Sequence, residues 1–92
     1  MNNEETKELK RILKTSRVVT EKSKVLELSE ICLPIIEFNN FREKYINRDY
    51  DIHTAIYHLV ETWRSFKGNE ASLENFAAIL SEAHLNLEAG KL

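Results

Sequence analysis

The longest regular pattern of apolar positions begins at Ile52 and ends at Trp63. Its members recur at the i, i+3, i+4, i+7, i+8 and i+11 spacing of one helical face, and they are Ile52, Ala55, Ile56, Leu59, Val60 and Trp63. The spacing predicts an amphipathic helix with the only tryptophan of the chain near its C-terminal end. Because a ring of that size can bury more apolar area than any other side chain here, we expect Trp63 to anchor the core.

Two shorter helices are predicted after this one. Lys67 and Gly68 are typical of a helix C-terminus, because a cation complements the helix dipole and glycine readily adopts positive φ. Ser72 is a typical N-cap for the next helix, whose apolar positions are Leu73, Phe76, Ala77 and Leu80. We expect Asn86 to cap a last helix that carries Leu87, Ala89 and Leu92.

Three further helices are predicted upstream. The first runs from Asn3 to about Arg17, and its narrow apolar stripe of Leu9, Ile12 and Leu13 suggests a place at the edge of the core. Thr20 is the expected N-cap of the second helix, which ends before Pro34 because proline lacks an amide hydrogen. The same proline fits the first turn of a third helix, the most apolar part of the chain, with Ile35, Ile36, Phe38 and Phe41. Asp49 or Asp51 is expected to cap the Trp63 helix.

Composition supports a single all-α domain. The chain has 92 residues, of which 42% are hydrophobic, with two glycines and one proline, which fits one core and is atypical of a sheet-rich fold. Short helices joined by short links favour antiparallel packing in a bundle. No apolar run approaches the roughly 18 residues of a membrane span, the N-terminus is polar and acidic, and one cysteine excludes an internal disulfide. A cytoplasmic location is therefore expected.

The sequence contains no recognisable motif for catalysis, a cofactor or a metal. It has no glycine-rich phosphate loop and no Cys-x-x-Cys, His-Glu-x-x-His or Gly-x-Ser-x-Gly pattern. His53 and His58 would lie roughly 140° apart around a helix, so they do not share a face that could hold a metal. Cys32 falls on an apolar stripe without a nearby histidine, which favours a buried role over a nucleophile. We expect no enzyme, no catalytic residue, no cofactor and no metal.

Polar faces of two predicted helices are candidates for partner binding. The basic residues of the first helix either form a solvated face or dock on an acidic protein patch, and they are Lys10, Arg11, Lys14 and Arg17. On the Trp63 helix, Tyr57 and Arg64 are of the types enriched in interface hot spots. Tyr57 could equally be half-buried in the monomer, because it lies next to the apolar stripe.

Four successive segments of the C-terminal half carry a family pattern, and they are LVETW at 59–63, GNEAS at 68–72, LENFAAIL at 73–80 and HLNLEA at 84–89. Together these segments resemble a death domain. That family has a leucine shortly before a tryptophan in its fourth helix, a link ending in alanine-threonine or alanine-serine, a Leu-x-x-x-Leu fifth helix and a Leu-Asn-x-x-Ala turn into the sixth. The resemblance covers residues 55–92 and extends back to about residue 36. The first third departs from the pattern, because the second tryptophan that many members carry is missing.

The resemblance implies a six-helix antiparallel Greek-key bundle, the death-domain fold, spanning 1–92 as part of a longer adaptor and ending inside the sixth helix. It implies a signalling adaptor that binds the death domain of a receptor or an upstream adaptor. Such domains form homo- or hetero-oligomeric assemblies that recruit a caspase in apoptosis or innate immunity. The resemblance implies neither nucleic-acid binding nor membrane insertion. Transferred by position, the contact patches of the family fall on Lys10, Lys14, Arg17, Arg42, Lys44, Arg48, Asp49, Asp51, Glu61 and Arg64, and Tyr57 joins them as a hot-spot residue type.

Two other kinds of small helical domain are alternatives to this interpretation. A caspase-recruitment or death-effector module would share the superfold, but the stretch from Gly68 to Leu87 favours a death domain. A small helical nucleic-acid-binding domain would need a basic recognition helix, whereas the formal net charge of this chain is −2.

Overall fold

The computed structural model describes every residue from Met1 to Leu92, and all of its regular elements are helical. They are α1 (Asn3–Lys14), α2 (Lys22–Cys32), α3 (Ile35–Ile46), α4 (Ile52–Lys67), α5 (Leu73–Glu82) and α6 (Asn86–Ala89), with 3₁₀ turns at Arg17–Val19 and Gly68–Glu70. The 16-residue α4 packs against α1, α2 and α3, while α5 packs against α2 and α6. The prediction of an all-α bundle of six helices is confirmed. No helix combines the length and the apolar character that crossing a membrane requires.

Trp63 lies in the middle of the core, as predicted. Its side chain has no exposed area, and its ring meets that of Phe76 edge to face, with centroids 4.9 Å apart and an interplanar angle of 85°. This contact joins α4 to α5. The other members of the predicted α4 stripe are buried, apart from Ile52 at the start of the helix, which is half-buried.

Three helix ends are made by the residues that the sequence indicates. The Asp51 carboxylate accepts a hydrogen bond from the Thr54 N–H at 2.7 Å, so Asp51 and not Asp49 caps α4. This bond is the main reason why the pKa of Asp51 lies below its ordinary value. The Ser72 hydroxyl likewise accepts from the backbone N–H three residues later, at 3.0 Å. Gly68 ends α4 with φ of 57° and ψ of −121°.

The start of the chain differs from its prediction in two places. α1 ends at Lys14, and Arg17 belongs to a separate 3₁₀ turn. The reason is local, because the Thr15 and Ser16 hydroxyls donate to the carbonyls of Arg11 and Leu13 at the end of α1. Side-chain hydrogen bonds of this kind satisfy carbonyls at a helix end, so the helix does not need to continue. Thr20 does not cap α2, since its hydroxyl donates to the Arg17 carbonyl at 3.1 Å and the N-cap position is taken by Glu21.

Burial of the apolar stripes also differs from expectation. The α1 stripe does not lie at the edge of the core, because α1 packs along α4 and its three apolar residues are buried, namely Leu9, Ile12 and Leu13. Pro34 precedes α3 as its N-cap rather than lying within its first turn. Ile35 and Ile36 begin α3 and are 70% and 72% exposed, whereas only Phe41, more than a turn later, is buried in this helix.

The last helix is shorter than predicted and is rotated relative to its expected orientation. α6 has four residues, begins at Asn86 and has Leu85 at its N-cap position, so Asn86 is not the cap. Leu85 and Glu88 are buried, while Leu87 is 66% exposed. The inward face of this segment is therefore defined by the i, i+3 pair of Leu85 and Glu88 and not by Leu87.

We predict that Trp63→Ala lowers the free energy of unfolding by about 3–5 kcal/mol, because it leaves a large cavity in a close-packed core. Chemical denaturation followed by circular dichroism measures this loss. Leu87→Ala is the matched control, since Leu87 is mostly exposed, and it should leave the midpoint nearly unchanged. A cooperative transition of Trp63→Ala at the wild-type midpoint would show that the ring does not anchor the core.

The two glycines of the chain should respond differently to alanine. No atom lies within 4 Å of a Cβ added at Gly68, so Gly68→Ala is opposed only by its positive φ, which should cost about 1–3 kcal/mol. Gly90 has helical φ and ψ of −66° and −16°, and an added Cβ would make only ordinary contacts, so Gly90→Ala should be neutral or slightly stabilising. Thermal melts of both variants test this order, and equal destabilisation would contradict it.

Candidate partner-binding surface

One group of predicted contact residues meets where α1 lies beside α4. The Lys10 ammonium lies 2.6 Å from a Glu61 carboxylate oxygen and 4.2 Å from the centroid of the Tyr57 ring. The side chain of Lys10 is only 15% exposed, so this pair is better shielded from water than an ordinary surface ion pair. The three residues thus form one connected unit across the two helices, with Tyr57 presented to solvent.

Arg64 and Lys14 extend this face of the molecule. The Arg64 guanidinium donates to the side-chain carbonyl of Asn3 at 3.4 Å, a long contact that leaves most of its donors free. Lys14 is half-buried and forms no ion pair. We refer to Lys10, Lys14, Tyr57, Glu61 and Arg64 as the α1/α4 face.

Arg17 lies elsewhere and contacts the other end of the chain. Its guanidinium donates to both carboxylate oxygens of Glu88, at 3.0 and 3.4 Å, and to the His84 carbonyl at 3.3 Å. The Arg17 backbone N–H also donates to Glu88, at 3.3 Å. Hydrogen bonding from Arg17 outweighs burial and lowers the pKa of Glu88. Arg17 therefore has a role inside the monomer, whether or not it also contacts a partner.

Glu88 was not singled out from the sequence, although a signal for it is present. It stands three residues after Leu85, and both are buried. An acidic residue at an inward helical position requires a cationic partner, because an unpaired buried charge is very costly. Which cation supplies the charge could not be inferred, since Arg17 is 71 positions away along the chain.

The remaining predicted contact residues lie around the C-terminal end of α3. Arg42 and Lys44 are exposed on that helix, and Arg48 and Asp49 are exposed in the link that follows it. None of the four forms an ion pair within the monomer. We refer to these four residues as the α3 face. Asp51, predicted with them, is engaged as the N-cap of α4.

An aromatic groove beside this face was missed by the sequence patterns. It lies between α3 and α4 and has a volume of about 520 Å³. In it the rings of Tyr50 and His58 stack in parallel, with centroids 4.4 Å apart and an interplanar angle of 12°, and the Phe41 ring lies 6.0 Å from Tyr50. Tyr50 precedes α4, so helical periodicity cannot pair it with His58. His58 is half-buried in this groove, whereas His53 is exposed.

Exposed apolar side chains form a neighbouring groove of about 540 Å³. Pro34, Ile36 and Phe66 contribute to its walls, and Phe66 is 54% exposed. The two grooves adjoin, because Glu37 and Thr62 line both of them. Contiguous apolar exposure of this kind marks contact sites more often than single exposed residues do.

The thiol of Cys32 is buried in the core. Burial raises the pKa of the Cys32 thiol well above its ordinary range, which keeps it protonated and unreactive, so the predicted buried role is confirmed. No cluster of three or more histidine, cysteine, aspartate or glutamate side chains is arranged to hold a metal ion. The surface as a whole offers ion pairs, aromatic rings and apolar side chains for contact with another macromolecule.

Comparison with protein-family models, with curated proteins and with solved structures finds no match to this chain.

We predict that Glu88→Gln destabilises the domain by about 1 kcal/mol at pH 7, because neutral hydrogen bonds are weaker than those to a carboxylate. The pKa of Glu88 is lowered on folding, so its contribution is present above the unfolded value of about 4.3. It is lost as the pH falls through the folded value. The stability difference between wild type and variant, measured by denaturation, should therefore shrink below about pH 4.

Glu8→Gln is the control for this effect. Glu8 pairs with Arg11 on the exposed surface of α1, so its replacement should change stability little at any pH. A Glu88 difference that stayed constant down to pH 2 would contradict the proposed charge pairing.

Proposed function

We propose that this chain is the death domain of a cytoplasmic signalling adaptor, which binds the death domain of a receptor or an upstream adaptor in a complex that recruits a caspase. Within the family, the relative that we propose is the Fas-associated death-domain adaptor, and the proposal includes the case that this chain is an insect version of it. The proposal includes an antiparallel Greek-key arrangement of the six helices. It assigns the chain no catalytic step and no cofactor.

The observation that carries the proposal is the structural role of the residues on which the resemblance depends. Trp63 is the core anchor of the fourth helix, and Gly68 with Ser72 bounds the link to the fifth. Phe76 and Leu80 of the fifth helix are buried. The residues that carry the family pattern are therefore buried in the core or form helix ends. This supports membership of the family more strongly than a resemblance confined to surface residues would.

The distribution of the candidate contacts supports association as the activity. The α1/α4 face and the α3 face are two patches on different helices of one molecule, and Glu61 of the first also lines the apolar groove that adjoins the second. An asymmetric contact between two different patches leaves a free patch at each end, so that assemblies can grow. Tyr57 on the first patch and Phe66 beside the second are the exposed aromatic anchors that such contacts favour.

We expect light scattering of the purified chain to report a complex with one death-domain partner among a set of candidates. The complex should weaken between low and physiological salt, because exposed charges contribute to it. If the chain binds no death domain but binds a caspase-recruitment domain, the result would support the caspase-recruitment module instead. Binding to no member of either class would refute the adaptor function.

Charge reversal should then identify the patch. With the partner in hand, Arg42→Glu or Arg64→Glu should weaken binding about tenfold or more, because each replaces an attraction with a repulsion. Lys91→Glu is the matched control, since Lys91 is exposed after α6 and belongs to neither face. Equal weakening by all three variants would show a general charge effect and no defined patch.

A further inference from the structure

The aromatic groove between α3 and α4 is lined by aromatic rings and by charged side chains that form no ion pair within the monomer. Its lining includes the stacked pair of Tyr50 and His58, both half-buried, beside the buried Phe41. These rings give the groove a flat polarizable surface. Flat groups on a ligand can stack on such a surface.

The charge of the groove is predominantly negative. Glu37, Glu43 and Asp49 line it together with a single cation, Lys44. None of these four side chains belongs to an ion pair of the monomer. Three carboxylates and one ammonium give the lining of the groove an excess of negative charge. Arg42 and Arg48 of the α3 face stand next in sequence to Glu43 and Asp49, but neither forms an ion pair with them. Charge complementarity therefore favours a cationic ligand.

Lys44 shows that a cation is accommodated at this ring. Its ammonium lies 5.7 Å from the centroid of the Tyr50 ring, near the outer limit of a cation–π contact. The side chain is exposed and otherwise unpaired, so it can be displaced at little cost. Lysine is also the poorer match, because its compact ammonium cannot stack on a ring and bind a carboxylate with parallel hydrogen bonds, whereas the planar guanidinium of arginine can.

We propose that this groove binds an arginine side chain presented by the partner, with the guanidinium stacked over Tyr50 in place of Lys44 and its N–H groups donating to the carboxylates of the rim. The adjoining groove at Ile36 and Phe66 takes an apolar residue next to that arginine. This inference rests on the proposed interaction function for its biological partner. Binding of an arginine peptide to the groove can be measured without that partner.

The first test is an NMR titration of the labelled chain with the capped tripeptide Gly-Arg-Gly. Saturable shifts are expected at the amides of Glu37, Asp49, Tyr50 and His58. The same peptide with lysine should bind several-fold more weakly, and the peptide with citrulline, which has the shape of arginine without its charge, should not bind. Equal shifts from the arginine and lysine peptides, or shifts spread over the whole surface, would overturn the proposal in favour of general charge attraction.

Two pairs of variants distinguish the groove from a merely structural role. Lys44→Gln removes the internal competitor and should tighten arginine binding by about two- to fivefold, the range of an exposed cation–π contact, whereas Lys44→Arg should weaken it. Tyr50→Phe keeps the ring and should retain binding, while Tyr50→Leu should abolish it. Thermal melts establish that each variant is folded. Unchanged affinity in Lys44→Gln and Tyr50→Leu, with both folded, would refute the site.

The outcomes for groove and family are separable. If the arginine peptide binds but no death domain does, the groove stands and the proposed family function fails. If a death domain binds with unchanged affinity to folded Tyr50→Leu, the adaptor function stands and the groove is not its contact. In the resemblance-based assignment Lys44 itself contacts the partner, so Lys44→Gln should then weaken that complex, which is the opposite of the effect expected here.

Discussion

The fold depends on the burial of Trp63 at the meeting point of α4 and α5. A ring of this kind removes about 150–250 Å² from water, which corresponds to about 4–6 kcal/mol at the usual coefficient. Against this, the indole N–H has no hydrogen-bond acceptor among the groups of the protein, and a buried donor left unpaired costs about 1–3 kcal/mol. The apolar gain exceeds the polar loss, so the core can hold the ring without satisfying its one polar atom. The helix that carries the ring is also the one on which α1, α2 and α3 all pack.

The same constraint determines which residues remain available for partners. Because the inner face of α4 is used by the core, Tyr57, Glu61 and Arg64 lie on the side next to α1. Lys10 of α1 reaches across to this side and connects the two helices. The ion pair of Arg17 and Glu88 links the turn after α1 to α6. Fold and surface are thus coupled, since the contacts that hold the helices together also fix the positions of the exposed charges.

The sequence predicted the local features well, because these depend on residues a few positions apart. The caps at Asp51 and Ser72 and the glycine at the end of α4 each require only a suitable side chain and its near neighbours. The α4 stripe was long enough for its periodicity to be unambiguous. The cap expected at Thr20 failed because a competing local bond, from its hydroxyl to the Arg17 carbonyl, uses the same side chain.

The candidate site was predicted less completely, because its geometry depends on contacts distant in sequence. Lys10 and Glu61 are 51 positions apart, and no spacing rule relates them. The contact patches inferred from the resemblance contain mainly charged residues. The exposure of the apolar side chains at the start of α3 was not predicted. An apolar run such as that at Ile35 and Ile36 is normally assigned to a core, and only the packing of the helices shows that it faces outward.

The balance of apolar and charged residues on this surface limits how a partner could be held. Single exposed ion pairs contribute from nothing to about 1 kcal/mol, so scattered charges alone would give a weak and salt-sensitive complex. Ile36, Tyr57 and Phe66 can exclude water from a contact, and it is within such a contact that neighbouring charges become effective. We therefore expect affinity to come from the exposed apolar and aromatic residues, while the charges determine which partner binds and in what orientation. We expect a partner that is complementary in charge, but lacks apolar side chains opposite Ile36 and Phe66, to associate with this surface and dissociate quickly.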